Sequence, residues 1–411
     1  MNQIVTAMLP RCPRYPSLDF WRGVACLMVV AFHSSFYIQA DFQHMQGATR
    51  ALSSVFLYLW TGVPIFFVIS GYCISATCDS MRRQEHSVRS YLWRRYRRIF
   101  PPLWACIVLT VVVLSISHNS ALFTESTRRA SGNALRLGFP ALSTLSLSQW
   151  IGNVTLAESW RHNLGGPAPL YLLGPSWSLC YEEQFYVVCG LLLFVEPLRF
   201  FRNAAYTAVA VAAVAMLLPH NYFEGFFFDG RWLTFALGMF VYWTLNYATE
   251  ETTSRLKSFM GVSALTAVAG LAVRPIRIFV LSDQFRTELL CAVIFTTVLL
   301  HLRPLDTRVT QSNLCRPIAW CGGMCYSMYL CHWIVVKPLS AWFWHHGVTS
   351  AVETTIITLP VCIIASIAVS RLFYLGVEQH FLNIPSRIKA ATQDFKRNQL
   401  TVLSRVIPSA R

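Results

Sequence analysis

The sequence predicts an all-α membrane protein, a polytopic bundle of about ten transmembrane helices with both termini in the cytoplasm. Hydrophobic residues make up 55% of the 411 residues, charged residues make up 13%, and the mean hydropathy is +0.45. A soluble globule of this length needs more polar surface than such a composition supplies. Apolar stretches long enough to cross a bilayer recur along the whole chain. The spans are predicted at 17–38, 53–76, 99–117, 177–196, 203–219, 226–247, 258–273, 284–302, 318–337 and 354–376.

The distribution of positive charge predicts the orientation of the bundle. Cytoplasmic loops of membrane proteins hold the excess of Lys and Arg, and here these residues concentrate in the connections on the side of the N-terminus. The chain is therefore expected to be a multi-pass protein of the inner (cytoplasmic) membrane. It divides into a cytoplasmic segment at 1–16, a membrane domain at 17–381 and a basic cytoplasmic tail at 382–411. No cleavable signal peptide is expected, because 1–16 has no apolar core.

Two other features of the composition carry less information about function. The net charge of +15 is compatible with nucleic-acid binding, but positively charged inner loops explain it better, so we expect the lipid bilayer and no nucleic acid as a partner. The 13 cysteines lie scattered in apolar segments, where Cys behaves as a small hydrophobe. Cys321, Cys325 and His332 would share one helix face, but core packing is the better explanation, and no metal is expected.

The first span carries ionisable residues that a plain membrane anchor does not need. Asp19, Arg22 and His33 lie within an otherwise apolar stretch, and such groups cost several kcal/mol in hydrocarbon unless they have partners or a function. On a helix that rises 1.5 Å per residue, Arg22 and His33 are separated by about 16 Å. The span therefore holds a cation and a titratable base at two depths.

Three ionisable residues are predicted to share one depth near the outer side of the bundle. Counted from the predicted span ends, His33, Glu182 and His332 each lie about five residues inside the membrane. A carboxylate beside an imidazole fixes its tautomer and raises its basicity, as in acid-base enzymes. The same cluster would also suit a structural hydrogen-bond network or a proton relay.

An arginine cluster marks the inner side. Arg94, Arg95, Arg97 and Arg98 precede the predicted third span, and arginine forks suit phosphate groups. Such a cluster alone is more often a topology signal or an anionic-lipid contact. Arg22, just within the membrane on the first span, favours a site for a phosphorylated ligand whose far end reaches into the bundle.

Five sequence blocks stand in the same order as in a known enzyme family. They are LDFWRGVACLMVVAFH (18–33), FFVISGYCIS (66–75), RRYRRIFPPLW (94–104), WSLCYEEQFY (177–186) and YSMYLCHW (326–333). With them the chain resembles the acyltransferase 3 family of integral membrane acyltransferases, and GVEQHF at 376–381 is similar to that family's closing motif. The likeness covers 17 to about 381 and corresponds to the one-domain form, without a fused extracellular hydrolase-like domain.

The resemblance implies an activity and a donor. A ten-helix membrane domain of this family takes an acyl group, acetyl by default, from cytoplasmic acyl-coenzyme A and passes it to a hydroxyl of a carbohydrate or lipid-linked sugar. Arg22 and His33 match the family's essential pair. Arg95 and Arg98 match its donor-side arginines, and Glu182 matches the acidic residue of its Trp-Ser-Leu block.

We therefore predict catalytic roles for His33, Glu182 and Arg22, with Glu182 orienting His33. His332, Trp177 and Tyr186 are expected to contact the acceptor. The competing hypothesis is a proton-coupled transporter or exporter of a sugar or lipid-linked substrate, in which the buried ionisable residues form a proton path. A structural membrane subunit would leave the cost of these residues unexplained.

Overall fold

The computed structural model of the protein describes residues 14–35, 45–117, 142–218, 224–273 and 283–382. Within these ranges the secondary structure is helical, without a strand. Most of the predicted segment 1–16, nearly all of the predicted tail at 382–411 and part of the long connection after the third span lie outside the described residues. The helices are α1 Leu18–Ser34, α2 Gly47–Tyr58, α3 Gly62–Arg83, α4 Val88–Ser117, α5 Leu147–Thr155, α6 Trp177–Val195, α7 Phe200–Leu217, α8 Trp232–Asn246, α9 Glu250–Val273, α10 Asp283–Leu302, α11 Asp306–Gln311, α12 Arg316–Gly323, α13 Cys325–His345 and α14 Ala351–Phe381.

Each predicted span overlaps at least one of these helices, and the predicted all-helical membrane fold is confirmed. Six helical segments within the described ranges are long and apolar enough to cross a membrane. The number of ten spans and the cytoplasmic termini stay predictions. The six segments are Gly47–Arg83, Val88–Ile116, Gly174–Val195, Pro197–Leu217, Phe285–Gln311 and Ala351–Phe381.

Two helices differ from the prediction in ways that affect the site. Helix α4 begins at Val88, well before the predicted start at 99, and continues through Pro101 and Pro102. The arginine cluster therefore lies on the helix itself. The predicted span 318–337 is divided at Met324, where α12 ends and α13 begins, and α13 continues to His345.

Helix α1 lies in the centre of the bundle, against α3, α12, α13 and α14. Its crossing with α12 is made by two glycines: a Cβ added at Gly23 would lie 1.9 Å from the carbonyl oxygen of Ile318, and one at Gly322 would lie 1.7 Å from that of Asp19. Small residues allow membrane helices to approach this closely. The crossing sets the position of Arg22, which is next to Gly23.

Buried ion pairs join helices that are distant in sequence. Arg231, at the start of α8, donates to Glu288 of α10 at 3.0 Å, to Asp229 at 2.9 Å and to the hydroxyl of Tyr181 on α6 at 2.7 Å. Charges at such depth require partners of opposite sign. Asp79, near the end of α3, is likewise buried and accepts hydrogen bonds from Tyr242 and Tyr247 at 2.8 and 2.7 Å.

Polar side chains secure the non-helical connection before α6. Asn153 of α5 donates to the carbonyl of Leu170 and accepts from the amide of Leu172, both at 2.8 Å. The buried carboxylate of Glu158 accepts from the amide of Leu170 at 2.7 Å and makes two bonds to Arg161. The hydrogen bonds to Glu158 raise the pKa of the Arg161 guanidinium above its ordinary value. Irregular backbone beside a bilayer needs such internal satisfaction.

Candidate active site

A cavity of about 100 Å³ runs between α1, α3, α4, α6 and α13. Arg22, Arg95 and Arg98 line it together, as the sequence predicts for a donor site. We call this cavity the inner cavity, and the end of the bundle that bears these residues the arginine end. From the arginine end the inner cavity extends along α6 as far as Ser178, which faces Tyr329 of α13.

The helical geometry of α4 divides the four arginines of the predicted cluster between two faces. Arg95 donates to Thr77 of α3 at 2.7 Å, and its guanidinium lies 5.5 Å from the ring centroid of Tyr186. Arg98, one turn later, lines the same cavity and makes no hydrogen bond to another described residue. Arg94 is exposed, and Arg97 donates to the carbonyl of His380 at 3.0 Å. The spacing of three residues thus places Arg95 and Arg98 on one face.

Arg22 is held on two sides. Its Nη1 donates to Asp19 at 2.5 Å, and its Nη2 contacts the sulfur of Cys73 on α3 at 2.9 Å. Asp19 lies three residues before Arg22 on the same helix, so the ion pair is local to α1. The side chain of Arg22 remains 22% exposed, so it is reachable from outside the inner cavity.

Glu182 belongs to the inner cavity. Its carboxylate accepts hydrogen bonds from the hydroxyls of Ser70 on α3 and Tyr186 on α6. Arg95 packs on the ring of Tyr186. Glu182, Tyr186 and Arg95 therefore form one connected cluster. The acid thus offsets part of the positive charge of the three arginines that line the cavity.

His33 contacts two consecutive residues of α13. Its ring stacks on His332 with centroids 5.2 Å apart and an interplanar angle of 28°, and it meets Trp333 edge to face at 5.0 Å. Trp333 in turn packs against the backbone of Gly174, where an added Cβ would lie 2.4 Å from the indole, and carries the ammonium of Lys337 on its face at 4.2 Å. We call the end of the bundle that bears the two imidazoles the histidine end.

The predicted pairing of Glu182 with His33 is not what the structure shows. Ser178 of α6 is level with Tyr329 of α13. From this level, Glu182 lies one turn towards the arginine end along α6. His332 lies about one turn towards the histidine end along α13. The carboxylate and the imidazole pair are therefore separated by roughly 10 Å along the bundle axis. The prediction that Glu182 shares one depth with His33 and His332 was wrong, because it was counted from the predicted ends of the spans. Helix α13 continues beyond residue 337 to His345, so the helices do not end at one level.

The three residues expected to contact an acceptor lie in different surroundings. His332 is fully buried, and its Nδ1 lies 2.8 Å from the carbonyl of Met328. Tyr186 lines the inner cavity at the arginine end. Trp177 is half-buried, with the guanidinium of Arg231 5.3 Å from its ring centroid. The structure does not bring them together at one surface, and a joint acceptor site made by these three is not supported.

Several site residues were not found from the sequence. Ser70 and Cys73 fall inside the block 66–75, but nothing in the sequence indicates which of its residues face a cavity. Tyr329 closes the inner cavity on the side of His332, with ring centroids 6.0 Å apart. Buried Glu378, in the closing motif, accepts the amide of Ser327 at 2.9 Å and so holds the first turn of α13. A carboxylate at a helix start is a recognisable stabilising device.

The arrangement defines a class of protein: a helical membrane enzyme with an arginine-lined cavity on one side and paired imidazoles on the other. The sequence model of the acyltransferase 3 family, described as an acyltransferase domain, matches residues 15–375. The chain belongs to this family, and the resemblance seen in the five blocks is confirmed. Among the described residues, no group of His, Cys, Asp and Glu side chains is arranged to hold a metal ion.

The chain is similar to curated proteins that are named as peptidoglycan O-acetyltransferases or as a transacylase. The chain is 22% identical to the peptidoglycan O-acetyltransferase OatA of Listeria monocytogenes, over 78% of this chain and 49% of OatA. It is 25% identical to the putative peptidoglycan O-acetyltransferase YrhL of Bacillus subtilis, over 93% of this chain and 55% of YrhL. It is 27% identical to the putative membrane-bound transacylase BcsY of Komagataeibacter xylinus, over 93% of this chain and 86% of BcsY. The chain thus spans about half the length of OatA and YrhL. No solved structure matches it.

Proposed function

We propose that this protein is an O-acyltransferase that moves an acetyl group from cytoplasmic acetyl-coenzyme A to a hydroxyl of a carbohydrate or glycolipid at the opposite face of the inner membrane. The observation that carries the proposal is one cavity lined by Arg22, Arg95 and Arg98 that ends about one helical turn from His332. Two relatives are named as O-acetyltransferases or putative O-acetyltransferases of peptidoglycan, which supports acetyl as the acyl group.

The donor fits this arrangement by its chemistry. Coenzyme A carries phosphates at one end and its thioester at the end of a long flexible arm. Arginine forks bind phosphate oxygens in pairs, so the arginine end is the side for the donor's phosphates. The excess of positive charge on the same side supports a cytoplasmic orientation for the arginine end and for both termini. Glu182, through Tyr186, then positions Arg95 rather than His33.

His33 is the group proposed to meet the reacting atoms. It acts as general base on the acceptor hydroxyl, or it transiently carries the acyl group on a ring nitrogen. In the direct route the acceptor oxygen attacks the thioester carbonyl, the carbon–sulfur bond breaks, and His33 passes the acceptor's proton to the departing thiolate. The products are an ester and free coenzyme A in either route.

The decisive experiment uses the purified full chain in liposomes with radiolabelled acetyl-coenzyme A and a panel of cell-surface glycans. We expect label on an acceptor and a matching release of coenzyme A, both lost in His33→Ala and kept in His301→Ala, whose imidazole is exposed on α10. Movement of a sugar without acyl transfer would favour a transporter. Mass spectrometry of cell-surface glycans with and without the protein identifies the acceptor.

The donor side is tested separately. Arg95→Ala combined with Arg98→Ala is expected to raise the KM for acetyl-coenzyme A by about tenfold or more, because two charge-assisted contacts are lost. Arg94→Ala, on the exposed face of α4, is the matched control. An unchanged donor KM in the double variant would mean that these arginines do not bind the donor and act only as topology signals.

A further inference from the structure

A second cavity lies against Arg22 on the side away from His33. It has a volume of about 430 Å³ and is lined by residues that include Arg14, Tyr15, Asp19, Arg22 and Cys73. We call it the vestibule. The carboxylate of Asp19 is 54% exposed, so the vestibule opens to solvent. Its lining adds the guanidinium of Arg14 to that of Arg22, and apolar side chains make up most of the rest, as in the inner cavity.

The vestibule and the inner cavity share two residues, Arg22 and Cys73. These two side chains contact each other, with Arg22 Nη2 2.9 Å from the Cys73 sulfur. The contact lies where the two cavities meet, so a ligand that occupies both must pass it. The side chain of Arg22 therefore borders both cavities.

On the basis of the function proposed above, we propose that the vestibule is the subsite for the nucleotide end of the donor and that Arg14 binds its 3′-phosphate. The diphosphate then lies at Arg22, within reach of the inner-cavity arginines, and the arm with the thioester continues past Cys73. Phosphates keep part of their hydration in an open vestibule, whereas the narrow arm suits the apolar inner cavity. Asp19 is paired with Arg22, so its charge opposes a phosphate less than a lone carboxylate would.

The test compares two donors in two proteins, using the full chain in liposomes. Acetyl-dephospho-coenzyme A lacks only the 3′-phosphate of acetyl-coenzyme A. Arg14→Gln is expected to raise the KM for acetyl-coenzyme A about tenfold, as for a lost charged hydrogen bond, and to change the KM for the dephospho donor less than about twofold. Arg14→Lys should raise the KM for acetyl-coenzyme A less than Arg14→Gln does. Arg89→Gln, an exposed arginine of α4 that lines neither cavity, is the control.

Equal changes for both donors, or no change for either, would overturn the assignment of Arg14. If the unaltered protein transfers acetyl from neither donor, the proposed function itself fails, and the two failures are thus distinct. A second variant tests the passage: Cys73→Phe fills the junction and should suppress transfer from both donors, whereas Cys73→Ser should retain it. Normal transfer by Cys73→Phe would show that the donor takes another route.

Discussion

His33 of α1 stacks on His332 of α13 with ring centroids 5.2 Å apart, although 299 positions separate them in the chain. His332 is fully buried, its Nδ1 is engaged by the carbonyl of Met328, and its Nε2 has no hydrogen-bond partner among the described residues. His332 thus contacts His33 through the stacking of its ring. It occupies the place beside His33 that the sequence assigned to Glu182.

This relationship predicts different results for two substitutions of His332. His332→Phe keeps a ring beneath His33 and should retain kcat within about threefold, whereas His332→Ala leaves a cavity and should lower kcat by about tenfold or more. The donor KM should change little in both, because His332 does not line the inner cavity. Steady-state kinetics with acetyl-coenzyme A measures both. A loss in His332→Phe as large as in His332→Ala would assign a chemical role to the ring nitrogens.

Gly174 offers a way to move His33 without changing either histidine. A Cβ at this position would lie 2.4 Å from Trp333, which meets His33 at 5.0 Å, so Gly174→Ala must displace the indole towards or along the imidazole. A shift of about 1 Å in a reacting group costs as much as a hundredfold in rate, and we expect kcat to fall at least tenfold with an unchanged donor KM. Gly376→Ala, where an added Cβ meets nothing within 4 Å, is the control. Normal kcat in Gly174→Ala would show that Trp333 does not position His33.

The sequence predicted the helical membrane fold and the common face of Arg95 and Arg98, for identifiable reasons. Apolar spans are read from local composition, and the spacing of Arg95 and Arg98 fixes their common face once α4 is helical. The position of Glu182 could not be predicted in this way, because relative depth depends on where each helix ends and how helices cross. Helix α13 begins after a break at Met324 and extends beyond its predicted end, and neither feature has a clear local signal.

Long-range partners were equally inaccessible to the sequence. Arg231 stands out as a charge next to an apolar span, but its partner Glu288 is 57 residues away on another helix. Gly174 and Trp333 are likewise joined only by the fold. Pairing of this kind requires knowledge of which helices are neighbours, which composition and periodicity do not contain.

The crossing of α1 and α12 predicts opposite behaviour for two adjacent glycines. Gly322→Ala would place a Cβ 1.7 Å from the carbonyl oxygen of Asp19 and should destabilise the protein by about 1–3 kcal/mol, as overpacking does. Gly323→Ala meets nothing within 4 Å and should change stability by less than about 0.5 kcal/mol. Thermal unfolding in detergent compares the two. Equal midpoints would mean that the helices separate at this crossing without cost.

The ion pair of Arg231 and Glu288 is predicted to stabilise the packing of α8 on α10. The side chain of Arg231 is 10% exposed and that of Glu288 is 1% exposed. Glu288→Gln therefore leaves the buried guanidinium of Arg231 with Asp229 as its remaining ion-pair partner among the described residues. We expect a loss of about 2–3 kcal/mol, below the usual cost of an unpaired buried charge because Asp229 remains. Glu251→Gln breaks a pair whose side chains are 79% and 74% exposed and should have no measurable effect. If Glu288→Gln unfolds at the temperature of the parent, water reaches Arg231 and the pair contributes nothing to the bundle.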